Sequence, residues 1–300
     1  MSTESQAGGL IIASHGRHYV VALDDGAPRQ CYTRGKKSGP AVGDRVVIRP
    51  EGDQEGVIIG IEPRRNLLYR SDALRSKQFA ANLDQLLIVL APEPEFSDDL
   101  TGRALVAAWS AGIEPIIILN KADLTPALER ANTRLRPLAD LGVRIIALSA
   151  LDAGQVHQTL DPILRNRRSL LLGQSGMGKS TLLNVLVPTA RAATQAHSDA
   201  LGTGRHTTTN TRLYALPGGG ELIDSPGFQA FGLQHLGVDD IVQGFPEFTE
   251  AIAHCRFYNC THRHEPGCGV LDAIAHGRIT PARHELYRRI LEENEAGQRY

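Results

Sequence analysis

A chain of 300 residues, 42% apolar and 22% charged with a formal net charge of −1, has the make-up of a soluble globular protein of two or three domains. The near-neutral balance argues against an indiscriminate polyanion binder, and the longest apolar runs, "LLIVLA" and "PIIIL", fall far short of the roughly 20 residues of a membrane span. The start "MSTESQAGG" lacks a basic stretch followed by an apolar one, so the expected compartment is the cytoplasm, where thiols stay reduced.

Residues 9 to about 62 read as short β-branched runs, "GLIIASHGRHYVVALDDG", "GDRVVIRP" and "EGVIIGIEP", broken by turn signals every ten or so residues. That pattern predicts a small β-barrel, and a five-stranded OB-type barrel fits the length. From about residue 84 the period changes. "DQLLIVLA" is a fully apolar strand, and Ser97 can cap the helix "DDLTGRALVAAWSAG", which stops near Gly112. A strand at 116–119, a helix through the 130s, a strand at 143–148, another helix and a strand at 169–172 follow. Such alternation predicts a parallel sheet with helices on both faces. "GELIDSPG" adds a strand near 221–223. Residues 236–300 read as mainly helical, with Thr280 capping a helix that has Pro281 at its first position.

The chemistry-bearing motifs lie at strand ends. Gly173-Gln174-Ser175-Gly176-Met177-Gly178-Lys179-Ser180-Thr181 follows a strand and opens a helix, the required setting of a phosphate-binding loop. Its backbone N–H groups can curl around phosphates at a helix N-terminus, with Lys179 reaching the β- and γ-phosphates and Ser180 ligating Mg²⁺. Asn120-Lys121-Ala122-Asp123 ends the strand at 116–119. Asp123 can accept hydrogen bonds from guanine N1–H and the 2-amino group, which adenine does not offer there. Asn120 is expected to tie this loop to the phosphate loop, and the stem of Lys121 to lie over the base. Ser149-Ala150 is the segment where a backbone N–H would meet guanine O6. Asp224-Ser225-Pro226-Gly227 supplies a water-mediated Mg²⁺ contact through Asp224 and a γ-phosphate contact through the Gly227 N–H. Between these lies "ARAATQAHSDALGTGRHTTTNT", a polar loop with Thr207, Thr208 and Thr209, of which Thr208 is the expected Mg²⁺ ligand.

A guanine nucleotide, GTP or GDP, is therefore the expected ligand. In ordinary GTPases the phosphate loop comes first and the base-reading tetrad late; here the tetrad precedes the loop. The same parts in rotated order describe a circular permutation. Phe228 stands where many GTPases carry a water-orienting Gln, so slow intrinsic hydrolysis is expected, with His206 or Gln229 as replacements.

Three of the four cysteines fall within fourteen residues, and with a histidine from His254, His262 or His264 they form a donor set for a closed, structural Zn²⁺ site. Cys31 stands alone in the barrel as a packing residue. Arg17, Arg34, Lys36, Lys37, Arg64 and Arg65 give the barrel region a modest basic face for nucleic acid.

The permuted order, together with "ASHGRHY", "AVGDRV", "GRHTTT", "DSPGF" and "CRFYNCTHRHEPGC", resembles the ribosome small-subunit-dependent GTPase A (RsgA) family across nearly the whole chain. The resemblance implies an OB-fold domain at 1–68, a circularly permuted GTPase domain at 69–235 and a zinc-binding helical domain at 236–300. It selects Cys255, Cys260, His262 and Cys268 as zinc ligands. It further implies GTP hydrolysis stimulated by the small (30S) ribosomal subunit, contact with 16S rRNA and a role in late subunit maturation, by a monomer without membrane attachment. His206 and Thr208 are the expected catalytic pair. The rival expectation is a signalling switch that recruits a protein through the barrel and the zinc knot.

Overall fold

The computed structural model describes residues 6–34, 39–52, 54–71, 76–190, 211–225 and 232–297. Strands β1 (Ala7–His15), β2 (His18–Leu23), β3 (Pro28–Thr33), β4 (Arg45–Glu51) and β5 (Glu55–Ile61) close into a barrel in the order β1-β2-β3-β5-β4 and back to β1. The β3–β5 pair is parallel and the other pairs are antiparallel. Period-two alternation buries Ile11, Val21, Cys31, Val46 and Ile48 while their neighbours stay partly wet. Burial pushes the Cys31 thiol up to about 11, so it packs as a small apolar group.

Strands β6 (Leu67–Ser71) and β7 (Ser76–Ala81) form a hairpin that spans the expected boundary at 68/69. Pattern reading missed it because "LLYRS" and "SKQFAA" carry no period-two alternation. The second layer system follows with strands β8 (Gln85–Leu90), β9 (Glu114–Leu119), β10 (Arg144–Ala147), β11 (Arg168–Gly173), β12 (Thr211–Ala215) and β13 (Glu221–Asp224). Their spatial order is β10-β9-β8-β11-β13-β12, with only β12 antiparallel to its neighbour. Helices α1 (Asp98–Ser110), α2 (Thr125–Asp140), α3 (Ala153–Leu164) and α4 (Lys179–Leu186) connect the parallel strands. Every residue of β8 is buried, as a strand covered on both faces requires. Its one polar member, Gln85, donates to Ser169 Oγ at 2.8 Å and to the Ile163 carbonyl at 3.1 Å. Because β8, β9, β10, β11 and β13 are parallel, their carboxyl ends share one edge, where a crevice for ligand forms.

The barrel is joined to this sheet by backbone. Strand β12 pairs with β1 at Ser14–Thr211 and Ala13–Arg212, making one eleven-stranded sheet. A second junction forms around "AVGDRV". Gly43 has φ +94°, and a Cβ there would lie 2.3 Å from the Ala81 carbonyl oxygen. Its carbonyl accepts from Arg168 at 2.7 Å and from the Asn82 amide at 3.0 Å. Asp44, fully buried, accepts two 2.7 Å bonds from Arg64 and one of 2.7 Å from the Ala41 N–H.

The C-terminal region carries α5 (Val238–Gln243), a 3₁₀ turn (Pro246–Phe248), α6 (Thr249–Ile252), α7 (Gly269–Ala275) and α8 (Pro281–Gly297). It docks on α1. Arg103 of α1, 7% exposed, donates to both oxygens of Glu293 of α8 at 2.6 and 2.8 Å and to Asp99 at 2.8 Å. Among the described residues no helix is long and apolar enough to cross a membrane.

Replacing Asp44 by Ala leaves the Arg64 cation and the Ala41 N–H without their buried acceptor. The expected cost is about 3–5 kcal/mol of unfolding free energy, read from the midpoint of a urea titration.

Candidate nucleotide site and zinc knot

The four motif-bearing segments meet at the shared carboxyl edge of the sheet. Asn120, at the end of β9 and 2% exposed, connects three of them. Its Nδ2 donates to the Met177 carbonyl in the phosphate loop at 2.9 Å, and its Oδ1 accepts the Ala150 N–H at 2.8 Å. Gly178 caps α4 with φ +85°, and a Cβ there would fall 2.2 Å from Asn120 Nδ2. The glycine supplies both a left-handed turn and the passage for the bridging amide.

On the base-reading side, the Ser149 hydroxyl donates to Asp123 Oδ1 at 2.7 Å and holds its carboxyl below the usual carboxylate range. Asp123 is exposed, with Oδ1 on the Ser149 hydroxyl. Lys121 has φ +60°, and its Nζ donates to the Glu93 carbonyl at 2.7 Å. The Ser149 N–H donates to Gln155 Oε1 at 2.9 Å and the Ala150 N–H to Asn120, so both already have protein acceptors. Gln155, in the first turn of α3, thus shapes this loop without belonging to any motif.

The phosphate loop has a second support that the motifs do not announce. The β8–α1 connection, Glu93 to Ser97, lies against it: Gln174 Oε1 accepts the Ser97 N–H at 2.9 Å, and a Cβ on Gly176 would sit 3.1 Å from Pro94. Ser97 also caps α1, its Oγ accepting the Leu100 N–H at 3.2 Å. On the other flank Lys179 donates to Asp224 Oδ1 and, at 2.7 Å, to the Ser225 carbonyl. Both Lys179 and Asp224 are buried, so the pair is strongly felt. Ser175, Ser180 and Thr181 are exposed around the N-terminus of α4, where free N–H groups and the helix dipole favour anions. His206, Thr207, Thr208, Thr209, Gly227, Phe228 and Gln229 lie outside the described residues.

The Cys/His knot follows the 3₁₀ turn and α6. Ligand atoms of Cys255, Cys260, His262 and Cys268 all lie within 4.8 Å of one another. His262 Nδ1 is 3.5 Å from Cys255 Sγ and 3.6 Å from Cys268 Sγ. His254 and His264 are exposed and outside the cluster. Three sulfurs and one imidazole nitrogen converging in this way fit a tetrahedral Zn²⁺ with no open position. Burial pushes the Cys260 thiol up to about 12, and a central dication is what would hold such thiols as thiolates.

The ligand loop is folded by residues that are not ligands. Glu265 accepts the Thr261 N–H at 2.7 Å, the Thr261 hydroxyl at 2.5 Å, the Arg263 N–H at 2.9 Å and the His264 N–H at 3.1 Å. Burial acts to raise its carboxyl, but these donors together hold it far below the ordinary range. His284 Nε2 sits 2.7 Å from the His262 carbonyl, and the Tyr287 hydroxyl donates to the Thr261 carbonyl at 3.0 Å. Both belong to α8, so the knot is built against the helix that also grips α1.

Fold and site together define a P-loop α/β domain with its strands in permuted chain order, flanked by a barrel and a helical zinc-type region. Residues 61–234 match the RsgA GTPase family. The chain is 66% identical over 299 residues to the small ribosomal subunit biogenesis GTPase RsgA of Bordetella pertussis, covering 99% of this chain and 100% of that protein. It is 58% identical over 290 residues to the protein of the same name from Burkholderia pseudomallei, covering 96% and 92%. Among solved structures it is similar to YjeQ from Thermotoga maritima, with TM-score 0.72, 28% identity and coverage of 97% and 99%. It is also similar to YloQ, described as a circularly permuted GTPase, with TM-score 0.69, 27% identity and coverage of 99% and 98%. The chain belongs to the RsgA GTPase family.

Two outcomes follow from this geometry. Asn120→Ala removes the bridge and unpairs the Met177 carbonyl and the Ala150 N–H; GTP and GDP affinity should both fall by about tenfold or more in equilibrium titration. Glu265→Ala should weaken zinc retention by about 10- to 100-fold in a chelator competition, although it removes no ligand.

Proposed function

We propose that this chain is a GTP hydrolase, acting on an acid anhydride, that binds the small (30S) ribosomal subunit and assists its late maturation. The observation that carries the reading is the Asn120 bridge, which holds a guanine-reading carboxylate and a phosphate loop at one sheet edge. Family membership and the names of the Bordetella and Burkholderia relatives support the subunit as partner.

In this reading Asp123 accepts from guanine N1–H and the 2-amino group, and Ser149 keeps it ionised and oriented. Lys121 lays its stem over the base. The N–H groups of residues 173–181 surround the phosphates, and Lys179 exchanges its contacts with Asp224 and Ser225 for phosphate oxygens. That exchange releases Asp224 toward the metal side of the site. Ser180 and Thr208 would hold Mg²⁺, with Asp224 acting through water; the ion supplies neutralisation of phosphate charge. Phe228 offers no hydrogen bond to a nucleophilic water, so basal hydrolysis is slow and the subunit accelerates it, with His206 as the candidate that orients water. Zn²⁺ at Cys255, Cys260, His262 and Cys268 is structural. The protein acts as a monomer in the cytoplasm, and 16S rRNA is its contact on the subunit.

The test is GTP turnover with and without purified small subunits, paired with co-sedimentation in GTP analogue and in GDP. The expected result is at least about tenfold stimulation, with association favoured by the GTP analogue. Unchanged turnover together with no association sinks the reading.

A further inference from the structure

The zinc knot presents an unusual surface. Between ligands Cys255 and Cys260 stand Arg256, Phe257, Tyr258 and Asn259, all exposed. Tyr258 is 106% exposed and Phe257 41%. Large aromatics elsewhere in this region are core: Phe245, Phe248 and Tyr287 are each fully buried. The exposed pair is rigidly mounted. Arg256 N–H donates to the Gly267 carbonyl at 2.9 Å, and Cys260 N–H donates to the Phe257 carbonyl at 3.3 Å, so both ends of the turn are tied down beside metal ligands. The Arg256 guanidinium lies 5.4 Å from the Phe257 ring centroid.

Charge identifies what this turn fits. The run His254–His264 contains no Asp or Glu; its Arg263 is paired with Glu295 of α8, while Arg256, His254 and His264 are exposed. The next acid, Glu265, is turned inward on the loop amides. Two exposed rings with a guanidinium close to one of them, on a run that itself carries no acid, present aromatic faces beside positive charge. They suit an unstacked nucleotide base, whose face meets the ring while its phosphates meet the cations. A closed duplex offers no free base face.

We propose that Phe257 and Tyr258 form a base-stacking platform for unpaired RNA nucleotides, with Arg256 completing the stack. The platform rests on the subunit-binding reading and names the chemistry of one contact in it. Its side chains are not members of the Cys255, Cys260, His262 and Cys268 cluster.

The test uses the full zinc-loaded chain, with isolated small subunits, a short unstructured oligoribonucleotide and its duplex as probes. The variants are Phe257→Ala/Tyr258→Ala, Tyr258→Leu and Tyr258→Phe; zinc content and GTP affinity report that each is intact. The double variant and Tyr258→Leu should lose at least about tenfold affinity for subunits and single strand, while Tyr258→Phe keeps it and duplex binds weakest. Retention by Tyr258→Leu with loss in the double variant means plain apolar burial against protein and overturns the proposal. Unchanged subunit and single-strand binding in every variant overturns it while leaving the subunit reading intact. Wild type that binds single strand through this loop but not subunits sinks the subunit reading alone. Wild type that binds neither sinks both.

Discussion

A single buried carboxamide sets the geometry of the nucleotide site. Asn120 spends its donor on the phosphate loop and its acceptor on the Ser149–Ala150 segment. Three loops, from β9, β10 and β11, are thereby fixed to one another before any ligand contributes. Side chains that must act on opposite ends of one nucleotide gain most from such preorganisation, because less ordering entropy is lost on binding. Gly178 is part of the same constraint, since no residue with a Cβ leaves room for the amide. The rotated chain order costs nothing here. The bridge links strand ends that are adjacent in space, and adjacency does not depend on which strand comes first.

The motifs were legible because each is local. Gly173 to Thr181 states its own setting, with an apolar strand before it and a helix after it. The three cysteines announced a metal centre by spacing alone, but one imidazole among His254, His262 and His264 was chosen only by resemblance; the structure brings His262 to the sulfurs. What escaped the sequence acts over long separations. Gln155 and the Glu93–Ser97 connection shape the site through single hydrogen bonds that no pattern marks. Strand β12 lies beyond a polar run, and its five residues "TRLYA" read equally well as loop. No motif or period marks Arg103, yet it is buried against Glu293, 190 positions away.

The C-terminal region is bound to the nucleotide domain through α1, and α1 begins at the phosphate loop. Ser97 caps that helix while its own N–H is held by Gln174. Further along, Arg103 clasps α8, and α8 in turn supplies His284 and Tyr287 to the zinc knot. The chain of contacts is continuous from phosphate loop to knot, by a route separate from the covalent one after Asp224.

The pairing of β12 with β1 turns barrel and nucleotide domain into one ribbon. The junction is made by the pairs Ala13–Arg212 and Ser14–Thr211. Barrel and nucleotide domain are thus joined by main-chain pairing as well as by the covalent chain. From β12 the ladder continues to β13, whose last residue is Asp224, the partner of Lys179. Paired backbone therefore runs without a break from the barrel to the carboxylate that holds Lys179.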